Sequence, residues 1–101
     1  QLEVAASVAR TIGSASVTPG SATGTAGSPV EMSCTFDGNV VDATYAWSVT
    51  PATGVTIVDA SLAATNFTFT NTGSYDITCV VSSATGNDSP QTASLKSFDV
   101  T

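Results

Sequence analysis

Three alternating stretches decide the fold of this chain: PVEMSCTF at 29–36, ATYAWSV at 43–49 and GSYDITCVV at 73–81. In each stretch apolar and polar residues alternate, which is the pattern of a strand with one face buried and the other in water. Cys34, Trp47 and Cys79 all fall on the apolar faces. We therefore expect these three residues to meet in the core of a β-protein.

The other strands follow at the short spacing typical of an all-β sandwich. Turn signals such as Asp37-Gly38 separate them. Seven strands are predicted, at residues 15–19, 29–36, 43–50, 55–59, 65–70, 74–82 and 92–101. In the last of these the alternation breaks between Leu95 and Phe98, which predicts a bulge near Lys96 and Ser97.

Two segments lack a clear strand pattern. Residues 1–11 are interpreted as a connector or an N-terminal strand, and residues 12–101 as the sandwich domain. Residues 21–28 form a loop of small side chains, with a second edge segment as the alternative. The chain begins with Gln1 and not with Met, so we expect it to be a domain cut from a longer protein or a processed product.

A cysteine on an early strand, a buried tryptophan on the next and a second cysteine on a late strand resemble the order found in immunoglobulin-like sandwiches. The resemblance implies an all-β, Ig-like Greek-key β-sandwich of two antiparallel sheets with about seven strands. A length of 101 residues is the usual size of one such domain. The core is predicted to contain Trp47, Tyr75, Phe36, Phe67 and Phe69.

The stretches 45–54 and 67–81 are similar to PKD-type Ig-like domains, which carry an aromatic third strand and a later Gly-x-Tyr-x-Val strand. Two features depart from these families. The Asp-Gly-rich turn of PKD repeats is missing after Trp47, and the tyrosine-corner position two residues before the second cysteine holds Ile77, with Tyr75 four residues before it. Domains resembling this one occur on phage capsids and tails, bacterial surface proteins and secreted glycan-degrading enzymes.

The Ig resemblance also implies a structural disulfide between Cys34 and Cys79, which lie on inward faces of strands that oppose each other in this fold. Such a bond closes a loop of about 45 residues and adds about 4 kcal/mol to the free energy of unfolding in the chain-entropy model. It also implies an oxidising compartment. The alternative is a pair of buried free thiols that act as small apolar residues.

The charge balance and composition argue against several classes of function. The chain has 2 basic and 8 acidic residues and a net charge of -6, which disfavours nucleic acid and anionic membranes as partners. No stretch approaches the roughly 20 apolar residues of a membrane span. Without histidine, a Ser-His-Asp or Cys-His catalytic site cannot form. No phosphate-binding loop is present, so neither an enzyme activity nor a cofactor is predicted.

Two weaker signals remain. Asp37, Asn39 and Asp42 are close in the chain, and the loop with Asn87 and Asp88 is expected at the same end of the sandwich. Their oxygens are candidate calcium ligands, but turn chemistry explains the same residues and no metal site is predicted. Two stretches match the N-glycosylation sequon: Asn66-Phe67-Thr68 and Asn87-Asp88-Ser89.

The composition, rich in Ser, Thr, Ala and Gly and with Asp favoured over Glu, resembles that of phage virion and bacterial surface proteins. Together with the resemblance to PKD-type modules, it implies a non-enzymatic module of a phage virion, on the capsid or tail, for surface display, spacing or weak adhesion. The expected partners are domains of the parent protein, neighbouring virion or surface subunits, and host-surface glycans. The expected location is extracellular or on the virion surface. The alternatives are a spacer or adhesion domain of a bacterial secreted or cell-surface protein, and a carbohydrate-binding module, which a row of exposed aromatic residues would favour.

Overall fold

The computed structural model describes residues 11–84, 86 and 89–101, and within them the chain forms strands and no helix. The strands are β1 (Ile12–Pro19), β2 (Pro29–Gly38), β3 (Thr44–Thr50), β4 (Val55–Ile57), β5 (Ala64–Phe69), β6 (Gly73–Ser82) and β7 (Gln91–Val100). All seven predicted strands are confirmed. β1 begins earlier than expected because Ile12 pairs with Gly38 at the end of β2. Of the connector predicted at 1–11, only Thr11 lies in the described part.

The strands form two antiparallel sheets. One has the order β1-β2-β5-β4 and the other the order β3-β6-β7. The chain changes sheet between β2 and β3, between β3 and β4, and between β5 and β6. This is the strand order of a constant-type immunoglobulin sandwich, so the predicted fold class is confirmed. Among the described residues there is no helix long and apolar enough to cross a membrane.

The core lies between the sheets and contains one connected group of aromatic rings. Trp47 meets Phe67 edge-on, with ring centroids 5.4 Å apart. Phe69 contacts Phe67, Tyr75 and Phe98 at centroid distances of 6.1, 4.6 and 5.8 Å. Aromatic pairs in such arrangements contribute about 0.5–1.5 kcal/mol each beyond the area that they bury. A few large rings thus fill a core that is otherwise built from aliphatic and sulfur-containing side chains, such as those of Ile12, Met32 and Ile77.

Four of the five predicted core residues are buried, and Phe36 is the exception. Trp47, Phe67, Phe69 and Tyr75 are at most 5% exposed. Phe36 packs against the core but is only partly buried. It lies near the end of β2, opposite Ala15, where the pairing with β1 becomes irregular. Its side chain therefore faces inward but is not fully covered.

Tyr75 makes a contact that its position in the sequence did not predict. Its hydroxyl donates a 2.8 Å hydrogen bond to the backbone carbonyl of Asn71, four residues upstream. This is the bond that a tyrosine corner makes at the same turn of an immunoglobulin domain. The tyrosine occupies a different position relative to Cys79 and still closes the β5–β6 turn.

The predicted bulge in β7 is confirmed. Tyr75 pairs with Phe98 and Ile77 pairs with Leu95, so Asp76 faces two residues of β7. One of them, Ser97, has a φ of 57° and donates its backbone N–H to Asp76 Oδ1 at 2.9 Å. The other, Lys96, lies 3.9 Å from the same carboxylate. Asp76 therefore satisfies the amide that the bulge removes from the ladder.

Replacing Ser97 by glycine is expected to stabilise the domain by about 0.5 kcal/mol. Relief of the left-handed backbone gains roughly 1–2 kcal/mol, and the added freedom of the unfolded chain returns roughly 0.5–1 kcal/mol. Urea unfolding followed by far-ultraviolet circular dichroism measures the difference. The control is Ser94→Gly in the same strand, which should destabilise. A loss of stability in both variants would contradict the strain at Ser97.

The edges of the sheets are partly covered by other segments. At the β7 edge, Gly24 forms a parallel bridge with Val100 and exchanges backbone hydrogen bonds with Asp99 and Thr101. The rest of 21–28 forms no strand, so the segment is a loop, as predicted, with a one-residue bridge at the sheet edge. A Cβ at Gly24 would lie 3.0 Å from the Phe98 ring, which explains the glycine. At the β3 edge, the Trp47 amide bonds to Ala60. Covered edges resist uncontrolled strand pairing.

Candidate functional site

Cys34 and Cys79 lie on facing strands of the two sheets, and both side chains are buried. The structure contains them as free thiols in hydrogen-bond contact with each other. A disulfide requires a sulfur–sulfur distance of about 2.05 Å, and the pair is not at that distance. The structure therefore corresponds to the buried-thiol alternative, with the two side chains placed as neighbours.

Burial keeps both thiols protonated at neutral pH. It raises the pKa of Cys34, and it raises the pKa of Cys79 to about 12, with the hydrogen bond to Cys34 as the second cause. Burial, followed by the two nearby thiols, also raises the pKa of Tyr45. Nucleophilic attack and metal binding both use the thiolate. The pair is thus unsuited to either role in its reduced, folded state.

Trp47 is 5% exposed and stands opposite Cys79 in the β3–β6 register, which confirms its predicted place in the core. Its indole ring also makes a polar contact. The Nε1–H donates a 2.7 Å hydrogen bond to the carbonyl of Leu62, and its backbone amide donates to the carbonyl of Ala60. Sequence analysis missed both bonds, because they depend on where a connection 15 residues away passes the β3 edge.

The connection between β4 and β5, which we call the 58–63 segment, is therefore tied to both sheets. It runs Val58-Asp59-Ala60-Ser61-Leu62-Ala63. Besides the two bonds from Trp47, it accepts the Cys34 amide at the carbonyl of Ala63, 2.8 Å away. The Asp59 amide donates to the hydroxyl of Thr65, which is buried. The only signal of this turn in the sequence is Asp59-x-Ser61, a pattern that favours local side-chain hydrogen bonds.

The polar residues of the β2–β3 loop are engaged in local bonds. Asn39 exchanges two hydrogen bonds with Thr11, at 2.8 and 3.1 Å. Asp42 accepts the hydroxyl of Ser83, which joins this loop to the start of the β6–β7 loop. Across the described residues, no three acidic, cysteine or histidine side chains come together as metal ligands. Asn87 and Asp88, the other candidate ligands, lie outside the described residues.

The first sequon occupies an outward-facing part of β5. Asn66 is exposed, and Thr68 lies two residues further along the same face. The Asn66 side chain therefore stands on the outer face of the four-stranded sheet, away from the core. In the second sequon, Asn87 and Asp88 are outside the described part, and the hydroxyl oxygen of Ser89 accepts a 2.9 Å hydrogen bond from the backbone N–H of Ser83.

Comparison of the chain with protein families, curated proteins and solved structures finds no match. The fold therefore defines the class of the molecule, a seven-stranded antiparallel β-sandwich over the described residues. The resemblance to PKD-type domains remains an expectation from the sequence.

Proposed function

We propose that this chain is a non-enzymatic Ig-like module, similar to PKD-type domains, that works on a phage virion. Its place is the capsid or the tail, and its work is display, spacing or weak adhesion at the particle surface. Its partners are the flanking domains of its parent protein, neighbouring subunits and host-surface glycans. A spacer or adhesion domain on a bacterial cell surface is the second candidate, because the same fold serves both.

One observation carries this proposal: in the described part of the domain, the buried polar groups are hydrogen-bonded and leave no open site for a ligand. No pocket opens between its sheets or loops, and none of its buried side-chain nitrogen and oxygen atoms is left without a hydrogen-bond partner. Small-molecule sites are usually concave, with a few convergent polar groups. A domain with a filled core and engaged polar groups is better suited to surface contacts than to turning over a substrate.

The aromatic residues argue against a carbohydrate-binding module. Five of them, Trp47, Phe67, Phe69, Tyr75 and Phe98, are buried, while Phe36 and Tyr45 are partly buried. None of these seven presents an exposed ring for a sugar to stack on. Host glycans therefore remain weak, secondary partners in this proposal, bound through polar side chains and made effective by many copies on one particle.

An extracellular or virion location agrees with the placement of the two thiols. Cys34 and Cys79 are neighbours, and a bond between them would form outside the cell, where disulfides persist. We propose that the mature module carries this bond. The oxidised form would give a small domain the additional stability that exposure on a particle demands.

The location is tested with antibodies raised against the isolated domain. Phage particles and bacterial cells from the source material are purified separately and examined by immunogold electron microscopy. Regular label on capsids or tails is the expected result, and antibody preabsorbed with the domain is the control. Label confined to the bacterial envelope would overturn the virion assignment in favour of the second candidate.

A further inference from the structure

Exposed apolar side chains are concentrated on the 58–63 segment. Among the described residues, the large hydrophobic side chains that are exposed belong to Val41, Val58 and Leu62, with exposed fractions of 86%, 71% and 48%. Two of these three lie on this single connection, and Ala60 and Ala63 between and after them are also exposed. Scattered single hydrophobic residues need no explanation, but a group on one segment is a candidate contact surface.

Hydrogen bonds to neighbouring strands and within the segment hold the 58–63 segment in one conformation. Each of its six residues takes part in a backbone hydrogen bond: Val58 with Asn66, Asp59 with Thr65, Ala60 and Leu62 with Trp47, Ser61 with Asp59, and Ala63 with Cys34. Three of these anchors, Trp47, Thr65 and Cys34, are themselves buried. A segment fixed in this way loses little conformational entropy when a partner binds, which favours affinity.

The same short segment carries a negative charge, at Asp59, next to Val58 and three residues before Leu62 in the chain. Asp59 Oδ1 accepts the hydroxyl of Ser61 at 2.6 Å and its backbone N–H at 2.9 Å. The hydroxyl bond, followed by the amide bond, lowers the pKa of Asp59. The carboxylate is exposed and ionised at neutral pH, and both hydrogen bonds use the same oxygen.

We propose that the 58–63 segment is a protein-docking surface that fits an apolar groove with a basic rim. Val58 and Leu62 enter the groove, and Asp59 pairs with a lysine or arginine of the partner. This deepens the proposed attachment role and rests on it. The charge excludes a second copy as the favoured occupant, because Asp59 would then approach another protein of net charge -6. A contact this small is weak in a single copy and gains strength from repetition.

The test uses a small probe that combines the two proposed features, n-hexylguanidinium chloride. It is titrated into the ¹⁵N-labelled domain, and amide chemical shifts are followed by heteronuclear NMR. Saturable shifts at residues 58–63 are expected. Guanidinium chloride and n-hexanol, added separately, should shift these amides less. Uniform shifts at every exposed carboxylate, or none at 58–63, would overturn the proposal.

Variants of exposed residues make the assignment specific. The double variant Val58→Ser, Leu62→Ser is expected to weaken binding about tenfold, the factor that corresponds to about 1.4 kcal/mol of lost apolar contact. Asp59→Asn keeps the acceptor for Ser61 and should weaken binding by removing the charge. Val41→Ser, at an exposed valine outside the segment, is the matched control and should bind like the parent. Unchanged binding in the double variant would contradict the docking surface.

The failure of this inference and that of the proposed function are distinguishable. The immunogold experiment reports where the module is located, whatever its 58–63 segment does. If the module is labelled on particles but the amides of residues 58–63 do not shift with the probe, the virion assignment stands and the docking surface is rejected.

Discussion

Replacing Trp47 by alanine is expected to lower the free energy of unfolding by about 3–5 kcal/mol, which is the usual cost of removing a large aromatic side chain from a core. The variant loses the edge-on contact with Phe67 and leaves a cavity opposite Cys79. It also loses the indole bond that holds the carbonyl of Leu62. Since domains of this size have about 5–15 kcal/mol in total, the variant is expected to be largely unfolded or close to it.

Urea unfolding followed by far-ultraviolet circular dichroism measures this loss, because the variant has no tryptophan fluorescence. Trp47→Phe separates the two contributions, since it keeps an aromatic ring and removes the indole N–H. Ser48→Ala, at the exposed neighbour in β3, is the control and should change stability little. In the parent protein, the single tryptophan should resist quenching by iodide. A loss below about 1 kcal/mol in Trp47→Ala would be inconsistent with a core position.

Oxidation of Cys34 and Cys79 is expected to give the second largest effect. A bond between them closes a loop of about 45 residues, which the chain-entropy model values at about 4 kcal/mol. The two side chains are already hydrogen-bonded neighbours in the core. Titration of thiols in denaturant, before and after treatment with oxidised glutathione, measures the bond. Urea unfolding of the oxidised and reduced forms measures its stabilising effect.

The pH dependence of the reduced protein gives an independent check. In the unfolded chain, Cys79 ionises near its ordinary pKa of 9.0, whereas in the folded protein its pKa is raised to about 12. Above pH 9 the folded state therefore binds more protons than the unfolded state, and stability falls as the pH rises toward 12. The oxidised form has no thiol to ionise and should lack this component. Two titratable thiols after prolonged oxidation would show that the core prevents the bond.

The order of the strands along the chain and the inward faces of the core residues were predictable from the sequence alone. A strand repeats every two residues, so alternation in 29–36, 43–49 and 73–81 determines which side chains share a face. Trp47 and Cys79 therefore had to point the same way once their strands paired. The broken alternation before Phe98 likewise located the bulge, because an extra residue shifts the pattern by one. These are local properties, set by neighbours along the chain.

Only the tertiary structure decided how distant segments meet. The bond from the Trp47 indole to Leu62, the cover of the β7 edge by Gly24, and the contact of free thiols in place of the implied disulfide all join residues far apart in sequence. Such contacts depend on the distance and angle at which two sheets pack, and residue periodicity carries no information about either. For the same reason, the predicted strand included Val58 and Asp59, whereas β4 ends at Ile57 and these two residues belong to an exposed segment that is hydrogen-bonded to Trp47 through Ala60 and Leu62.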